Sequence, residues 1–389
     1  MTNGRGRWAF WGFVALFAVY AVVVILLGVR KGDDIVAEIT EAQRLLGRQM
    51  LNTAPPTQGL WWPPFGTLLV TPFALVASYS LPLAKALWGA LSVAALAWAI
   101  SKTWTLWGWR PALIAFAVVA FPTHNNFHHL NIETILLALA VATAADLSQG
   151  RSSRAGLWAG LATALKVFPG LLLVYFAVRR QWTALLAGVA ACAGATLVAL
   201  LPLGPSGMLT ALRNYATLAT HSQNYQGATV AALHMQKLGK LGYALGGAPA
   251  SIVLLHLLAV GLVATILVAR PKEDDPPLEV GSVLLLAVLV TPIAWLHTFT
   301  LGYLAWVAAF AYVPPVGEGA RRAWRICLIA GAIYASTALT ALHLPDALGF
   351  VTFYDDTIGA LVALALLAWL RIARARRAAP TLAGSPHPV

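Results

Sequence analysis

From Phe10 to Val29 the chain runs for 20 residues without a charged side chain, and further apolar runs follow almost to its end. A helix rises ~1.5 Å per residue, so a run of that length crosses the ~30 Å hydrocarbon core of a bilayer. Lipid offers the backbone no hydrogen-bond partner, and each such run must therefore satisfy its own N–H and C=O groups as a helix. Charged residues make up only 10% of the 389, far below the roughly 25% of a soluble domain. No polar block is long enough to fold alone. The expectation is an all-α, polytopic integral membrane protein. Residues 1–377 form a single membrane domain, and residues 378–389 form a disordered cytoplasmic tail rich in Ala, Pro and Gly.

The net charge of +12 does not point to nucleic acid, because the basic residues form no single patch. They gather in short connections and in the tail: Arg5 and Arg7, Arg151 and Arg154, Arg179 and Arg180, Arg321, Arg322 and Arg325, and Arg371 to Arg377. Such clusters mark the cytoplasmic face, which puts both termini inside a cell membrane. Cys192 and Cys327 fall in apolar runs and show no disulfide or metal spacing. The first apolar run exceeds a signal-peptide core and is followed by no small-x-small site, so it reads as a retained helix.

After the first helix, Ile35, Ile39, Ala42, Leu45 and Leu46 recur at helical spacing opposite Glu38, Glu41 and Arg44. This predicts an amphipathic helix on the extracytoplasmic membrane surface. Pro55-Pro56 and Trp61-Trp62-Pro63-Pro64 break helix geometry, with the tryptophans suited to the interfacial belt. Residues 65–100 predict a short or broken helix and then a full span. Spans near 111–121 and 135–145 enclose a polar cluster from Thr123 to Glu133 that falls outside. Residues 155–178 are apolar except for Lys166 and are interrupted by Pro169-Gly170 between two arginine clusters. That pattern predicts a broken, re-entrant pair with Lys166 near its apex. Later spans are expected near 182–203, 251–269, 278–295, 299–313, 326–342 and 357–371, with the connections 204–250 and 343–356 outside. The total is roughly ten to twelve membrane segments.

Fourteen acidic residues leave few candidates for acid–base chemistry on the outer side: Asp33, Asp34, Glu38, Glu41, Glu133, Asp346, Asp355 and Asp356. Asp33 and Asp34 follow the first span directly, at the depth where a lipid-linked substrate presents its head. Adjacent carboxylates at a low-dielectric boundary repel, which raises one proton affinity and can poise a base. Their plainer reading is solvation of a helix end beside Arg30 and Lys31. Lys166 in an apolar run costs about 2.5–3.5 kcal/mol on insertion scales and needs an anion, either a phosphate or a carboxylate from a neighbouring helix. His124, Asn125, Asn126, His128, His129 and Asn131 concentrate donors and acceptors of the kind sugar hydroxyls require. A metal is the rival for these histidines, but Glu133 alone offers an acidic second shell. A second polar run, His221 to Gln226, contains Asn224 and Gln226, and Trp295-Leu296-His297 caps a span on the same side. Trp295 serves equally as a sugar platform or an interfacial anchor. No nucleotide or dinucleotide loop, nucleophile elbow or zinc-protease helix is present.

Taken together, these motifs resemble the polyprenol-phosphate-mannose-dependent alpha-mannosyltransferases of glycosyltransferase family 87, in the GT-C class of membrane enzymes. Asp34 precedes Ala42, Arg44, Leu45, Leu46 and Gly47; Trp62-Pro63-Pro64 stands where the family has Tyr-Pro-Pro; and His128-His129-Leu130-Asn131 partly matches Gly-Gln-x-Asn. Ala155-Gly156, Gly160, Lys166-x-x-Pro169, Tyr175 and Arg179-Arg180 follow in order, then Pro292-x-x-Trp295-x-His297. The resemblance implies transfer of mannose, with inversion, from a polyprenyl-phosphate donor to a glycolipid or lipoglycan hydroxyl at the outer face, without a cofactor or metal. By position it implies Asp34, with Asp33 as the alternative, as general base, and Lys166 and His297 at the donor phosphate. His128, His129, Asn131, Asn224, Gln226 and Trp295 would hold sugar or acceptor. The partners are then the lipid-linked donor, the acceptor and membrane lipids. The competing class is a secondary transporter or lipid-linked sugar flippase, since broken helices with a buried lysine also build transport sites; its discriminator, an internal two-fold repeat, is not seen.

Overall fold

A computed structural model describes residues 4–51, 62–221, 238, 241, 245, 249–269, 275–291, 294–336 and 354–378. Asn224, Gln226, Pro292 and the tail beyond residue 378 lie outside the described residues. Everything regular among the described residues is helical. The helices are α1 Gly4–Arg30, α2 Asp33–Leu46, α3 Pro64–Ala77, α4 Leu81–Trp107, α5 Trp109–Val118, α6 Ala120–His129, α7 Glu133–Ser148 and α8 Ser152–Leu165. They continue with α9 Leu171–Val178, α10 Trp182–Leu200, α11 Gly204–His221, α12 Pro249–Val268, α13 Pro276–Val290, α14 Tyr303–Ala311, α15 Glu318–Ser336 and α16 Asp355–Ala378. Two 3-10 turns, Phe168–Gly170 and Leu296–Gly302, precede α9 and α14.

Five of these helices contain stretches long and apolar enough to cross a membrane: Trp11–Arg30, Leu81–Trp107, Trp182–Ala199, Ala250–Val268 and Asp355–Arg377. Five shorter apolar helices accompany them, Pro64–Ala77, Trp109–Val118, Phe168–Val178, Pro276–Val290 and Leu296–Ala311. Helix α1 leaves Leu16, Val19 and Leu26 at 74%, 65% and 64% exposure. An apolar face of that extent is stable against lipid and not against water.

The middle of the bundle is built on α4, α7, α13 and α14. Helix α7 packs on α4, α8 and α13, while α14 packs on α5 and α13. Small residues bring α8 and α10 into backbone contact: a Cβ on Gly160 would meet the Gly188 carbonyl oxygen at 2.1 Å. In lipid, where burying apolar surface gains nothing, this close approach is what holds such helices together.

The expected break near Lys166 is present. Helix α8 stops at Leu165, Lys166 takes an extended conformation (φ −154°, ψ 130°), and the 3-10 turn through Pro169 leads into α9. Two local details are added. The polar cluster after Thr123 is largely helical, since α6 runs to His129 and buries Thr123, Asn126 and Phe127. Part of the 204–250 connection is likewise the helix α11. Helix α2 forms where its periodicity places it, but its supposed polar face is also covered. Glu38 and Glu41 are 3% and 1% exposed, with Glu41 held by Arg44 at 2.6 Å.

Candidate active site

Glycine decides where the first piece of the site sits. The joint between α1 and α2 has no room for a side chain, because a Cβ on Gly28 would meet Leu130 Cδ2 at 2.5 Å and one on Gly32 would meet Leu130 Cδ1 at 2.6 Å. Leu130 itself ends α6 in the left-handed region (φ 55°), and its carbonyl accepts a hydrogen bond from the buried Trp88 indole at 3.0 Å. A leucine held with positive φ is strained. Here the turn is fixed from both sides, and it delivers His129 and Asn131 to the start of α2.

Two asparagines then set the beginning of α7. The Glu133 N–H donates to Asn126 Oδ1 at 3.1 Å and the Ile132 N–H to Asn131 Oδ1 at 2.7 Å, which satisfies donors that a helix start leaves open. With Oδ1 committed, Asn131 turns its amide N–H toward Asp34 Oδ2, 2.6 Å away. Asp33 Oδ1 lies 2.8 Å from His129 Nδ1. His128 Nδ1 is 3.4 Å from His129 Nε2, the two rings meeting edge to face.

Behind these groups lies a dry layer. Glu133 is fully buried and ion-paired with Lys166, whose ammonium also donates to Asn131 Oδ1 at 3.4 Å. His297, in the second 3-10 turn, places Nε2 at 3.8 Å from Glu133 Oε1, and its ring centroid lies 5.9 Å from that of His129. Neither ring nitrogen of His297 has a hydrogen-bond partner among the described residues, nor has Glu133 Oε2. Buried polar atoms left this way are costly.

The two aspartates are electrostatically unlike. Burial pushes the Asp34 carboxyl up to about 6, against the lowering pull of His129 and Asn131. For Asp33 burial also acts upward, but the hydrogen bond and charge of His129 outweigh it and hold the group below the usual carboxylate range. Burial lowers His129, but its hydrogen bond to Asp33 together with the charges of Asp34, Asp33 and Glu133 raises it above an ordinary histidine. Asp34 is thus the carboxylate with base strength near neutrality, and Asp33 is its exposed, hydrogen-bonded neighbour.

Asp33, Asp34 and His129 each offer one ligand atom within 4.8 Å of the others, a spacing that admits a cation. The 2.8 Å contact between His129 and Asp33 is a hydrogen bond, however, and most of the Asp33 side chain is exposed. The set therefore reads as an acid–base cluster.

Of the residues singled out in the sequence, Asp33, Asp34, His128, His129, Asn131, Lys166 and His297 converge. Trp295 stands apart as the half-buried start of the 3-10 turn, with its carbonyl accepting the Thr298 N–H at 3.0 Å. Glu133 is the addition. The sequence offered one signal for it, since a lysine in an apolar run requires an anion and Glu133 was among the few acids left unassigned.

No curated protein matches the chain. Among solved structures it is similar to ArnT from Cupriavidus metallidurans bound to undecaprenyl phosphate, at 16% identity over 93% of this chain and 78% of that chain, with a TM-score of 0.44. For the apo state of ArnT the identity is 17%, the coverage 94% and 78%, and the TM-score 0.43. A likeness at this level bears on no residue's role. The sequence profile of glycosyltransferase family 87 matches residues 61–292, well over half of the chain, and spans the Asn131, Glu133 and Lys166 segments while leaving Asp33, Asp34 and His297 outside it. On that match, this membrane protein belongs to glycosyltransferase family 87.

Proposed function

We propose that the chain transfers a sugar, mannose by resemblance, from a polyprenyl-phosphate donor to a hydroxyl of a glycolipid or lipoglycan, with inversion at the anomeric carbon. The reading places the site on the extracytoplasmic side, the termini in the cytoplasm, and ten to twelve segments in the bilayer. Its main support is one observation: the half-buried Asp34, raised to about 6, stands one asparagine away from the partly buried Lys166, whose partner Glu133 lies beside a buried histidine with open ring nitrogens.

In this scheme Asp34 accepts the proton of the acceptor hydroxyl while that oxygen attacks the anomeric carbon. The bond from that carbon to the phosphate oxygen breaks, and the lipid phosphate leaves with the electron pair. Lys166 has three N–H donors, of which Glu133 and Asn131 take two. The third, with a ring N–H of His297, is available to the leaving phosphate. Glu133 keeps the ammonium buried and aimed before the donor arrives, which spares reorganisation during the reaction. General-base assistance contributes about 10²–10⁴-fold, and donors on a leaving anion in a dry site contribute several kcal/mol. The phosphate already carries the charge that a leaving group must bear, so side-chain cations suffice.

The test is transfer from polyprenyl-phosphate mannose in proteoliposomes. Asp34→Asn is expected to keep the fold and donor binding while transfer falls by about 10²–10⁴-fold. Full activity in that variant refutes the assignment.

A further inference from the structure

Each turnover of the proposed reaction releases one proton onto Asp34, and it must leave before the next. With donor and acceptor in place, Asp34 is covered by its substrates, and Asn131, which holds its Oδ2, offers an amide that cannot take up a proton. The group beside it that can is His129. A ring nitrogen of His129 lies within 4.8 Å of a carboxylate oxygen of each aspartate, within reach of one bridging water. Through Nδ1 His129 is hydrogen-bonded to Asp33 at 2.8 Å, its Nε2 lies 3.4 Å from His128 Nδ1, and 70% of the Asp33 side chain is exposed.

We propose that His129 and Asp33 form the proton outlet of the site: the neutral imidazole takes the proton from Asp34 and gives it to outside water, with Asp33 holding the ring at the exposed edge of the site. The proposal rests on Asp34 being the base. Atoms balance simply: the acceptor O–H bond breaks, its proton goes to Asp34, then to His129, then to water, and Asp34 and His129 return to their starting states. The order of proton affinities favours the first hop, since Asp34 sits near 6 and His129 is raised above its ordinary value.

The charged neighbours of His129 come from several elements. Asp33 and Asp34 face it from α2, His128 from its own helix and Glu133 from α7, while His297 lies against it from the 3-10 turn and Lys166 stands behind Asn131. Beyond Asp33 lie Lys31 and Lys85. Among these acids Asp33 is the exposed one that joins His129 to bulk water, and the His129 ring is itself 30% exposed beside it.

The experiment measures transfer in proteoliposomes for the unaltered protein, His129→Gln, Asp33→Asn and Asp34→Asn, as a function of pH and of outer buffer concentration. His129→Gln keeps an amide at the position but cannot carry a proton. It is expected to lower kcat about tenfold or more with donor KM nearly unchanged, and imidazole added outside is expected to restore part of the rate. Asp33→Asn is expected to show the same rescue with a smaller loss. Asp34→Asn is expected to be inactive without rescue. Wild-type kcat and pH profile in His129→Gln, with Asp34→Asn still inactive, overturn the outlet alone; full activity in Asp34→Asn overturns the base assignment beneath it. A loss in both His129→Gln and Asp33→Asn that no buffer relieves, or wild-type activity abolished by chelator and restored by a divalent cation, also overturns the outlet.

Discussion

Two clusters of buried charge lie one at each end of α13, and they are constructed on opposite principles. At the start of α13, Glu279 is held by Arg179, Arg371 and the Tyr175 hydroxyl, and Asp275 by Arg371 and Arg374. Arg371 is wholly buried and spends a further N–H on the Ile266 carbonyl at 3.1 Å. After the end of α13, some 17 Å of helix away, the Glu133, Lys166 and His297 layer leaves two ring nitrogens and a carboxylate oxygen without partners among the described residues. Saturated charge fixes helices, whereas unsatisfied charge waits for a ligand. On the proposed function, the difference is that between a structural lock and a reactive centre.

The comparison breaks most visibly at the saturated end. Arg371→Met leaves Glu279 and Asp275 buried with fewer cations, and loss of one partner of a buried pair costs about 3–5 kcal/mol. Thermal unfolding in detergent is expected to show that loss, while kcat per folded molecule stays near wild type. An unchanged midpoint would remove the distinction between the two clusters. Lys166→Met is expected to act the other way, weakening donor affinity about 10²-fold, as lost hydrogen bonds to a charged group do. It also leaves the buried Glu133 without its lysine, so some loss of stability accompanies the loss of affinity, and an unaltered apparent donor affinity counts against the phosphate role.

The pH dependence sharpens the same contrast. Asp34 must be ionised to act as base, and its carboxyl is raised to about 6. Transfer is therefore expected to be level above that pH and to fall as pH drops through it, approaching about tenfold per unit. An acid limb near 4, where an ordinary aspartate titrates, contradicts the environment described for Asp34. The smallest effect belongs to Arg154, whose guanidinium lies 3.4 Å from Asp146 with 59% of its side chain exposed. Arg154→Ala is expected to change stability by less than about 1 kcal/mol and activity not at all, since Arg151 also holds Asp146.

How far the sequence reaches is clear from particular residues. Apolar run length placed α1, α10, α12 and α16 closely, because bilayer thickness dictates helix length. The Lys166 break was legible because Pro169-Gly170 interrupts an otherwise continuous apolar run between two arginine clusters. Helix α6 was not, since its Asn and His side chains have poor helix propensity and are held by tertiary hydrogen bonds instead. The pairing of Lys166 with Glu133 joins residues 33 apart, and no local pattern announces such a contact. The burial of Glu38 and Glu41 was missed for a related reason: helical periodicity identifies the apolar face but does not say whether the other face is covered. Asp33 and Asp34 looked equivalent in sequence, and only the partners supplied by the Leu130 turn distinguish them.

A structure of the protein with a polyprenyl-phosphate sugar bound tests the two-cluster contrast most directly. The expected result is the phosphate against Lys166 and His297, with the Asp34 carboxylate facing the anomeric carbon across the space for an acceptor hydroxyl. A sugar phosphate seated instead among Arg179, Arg371 and Arg374, with Asp34 remote from the anomeric carbon, would contradict it.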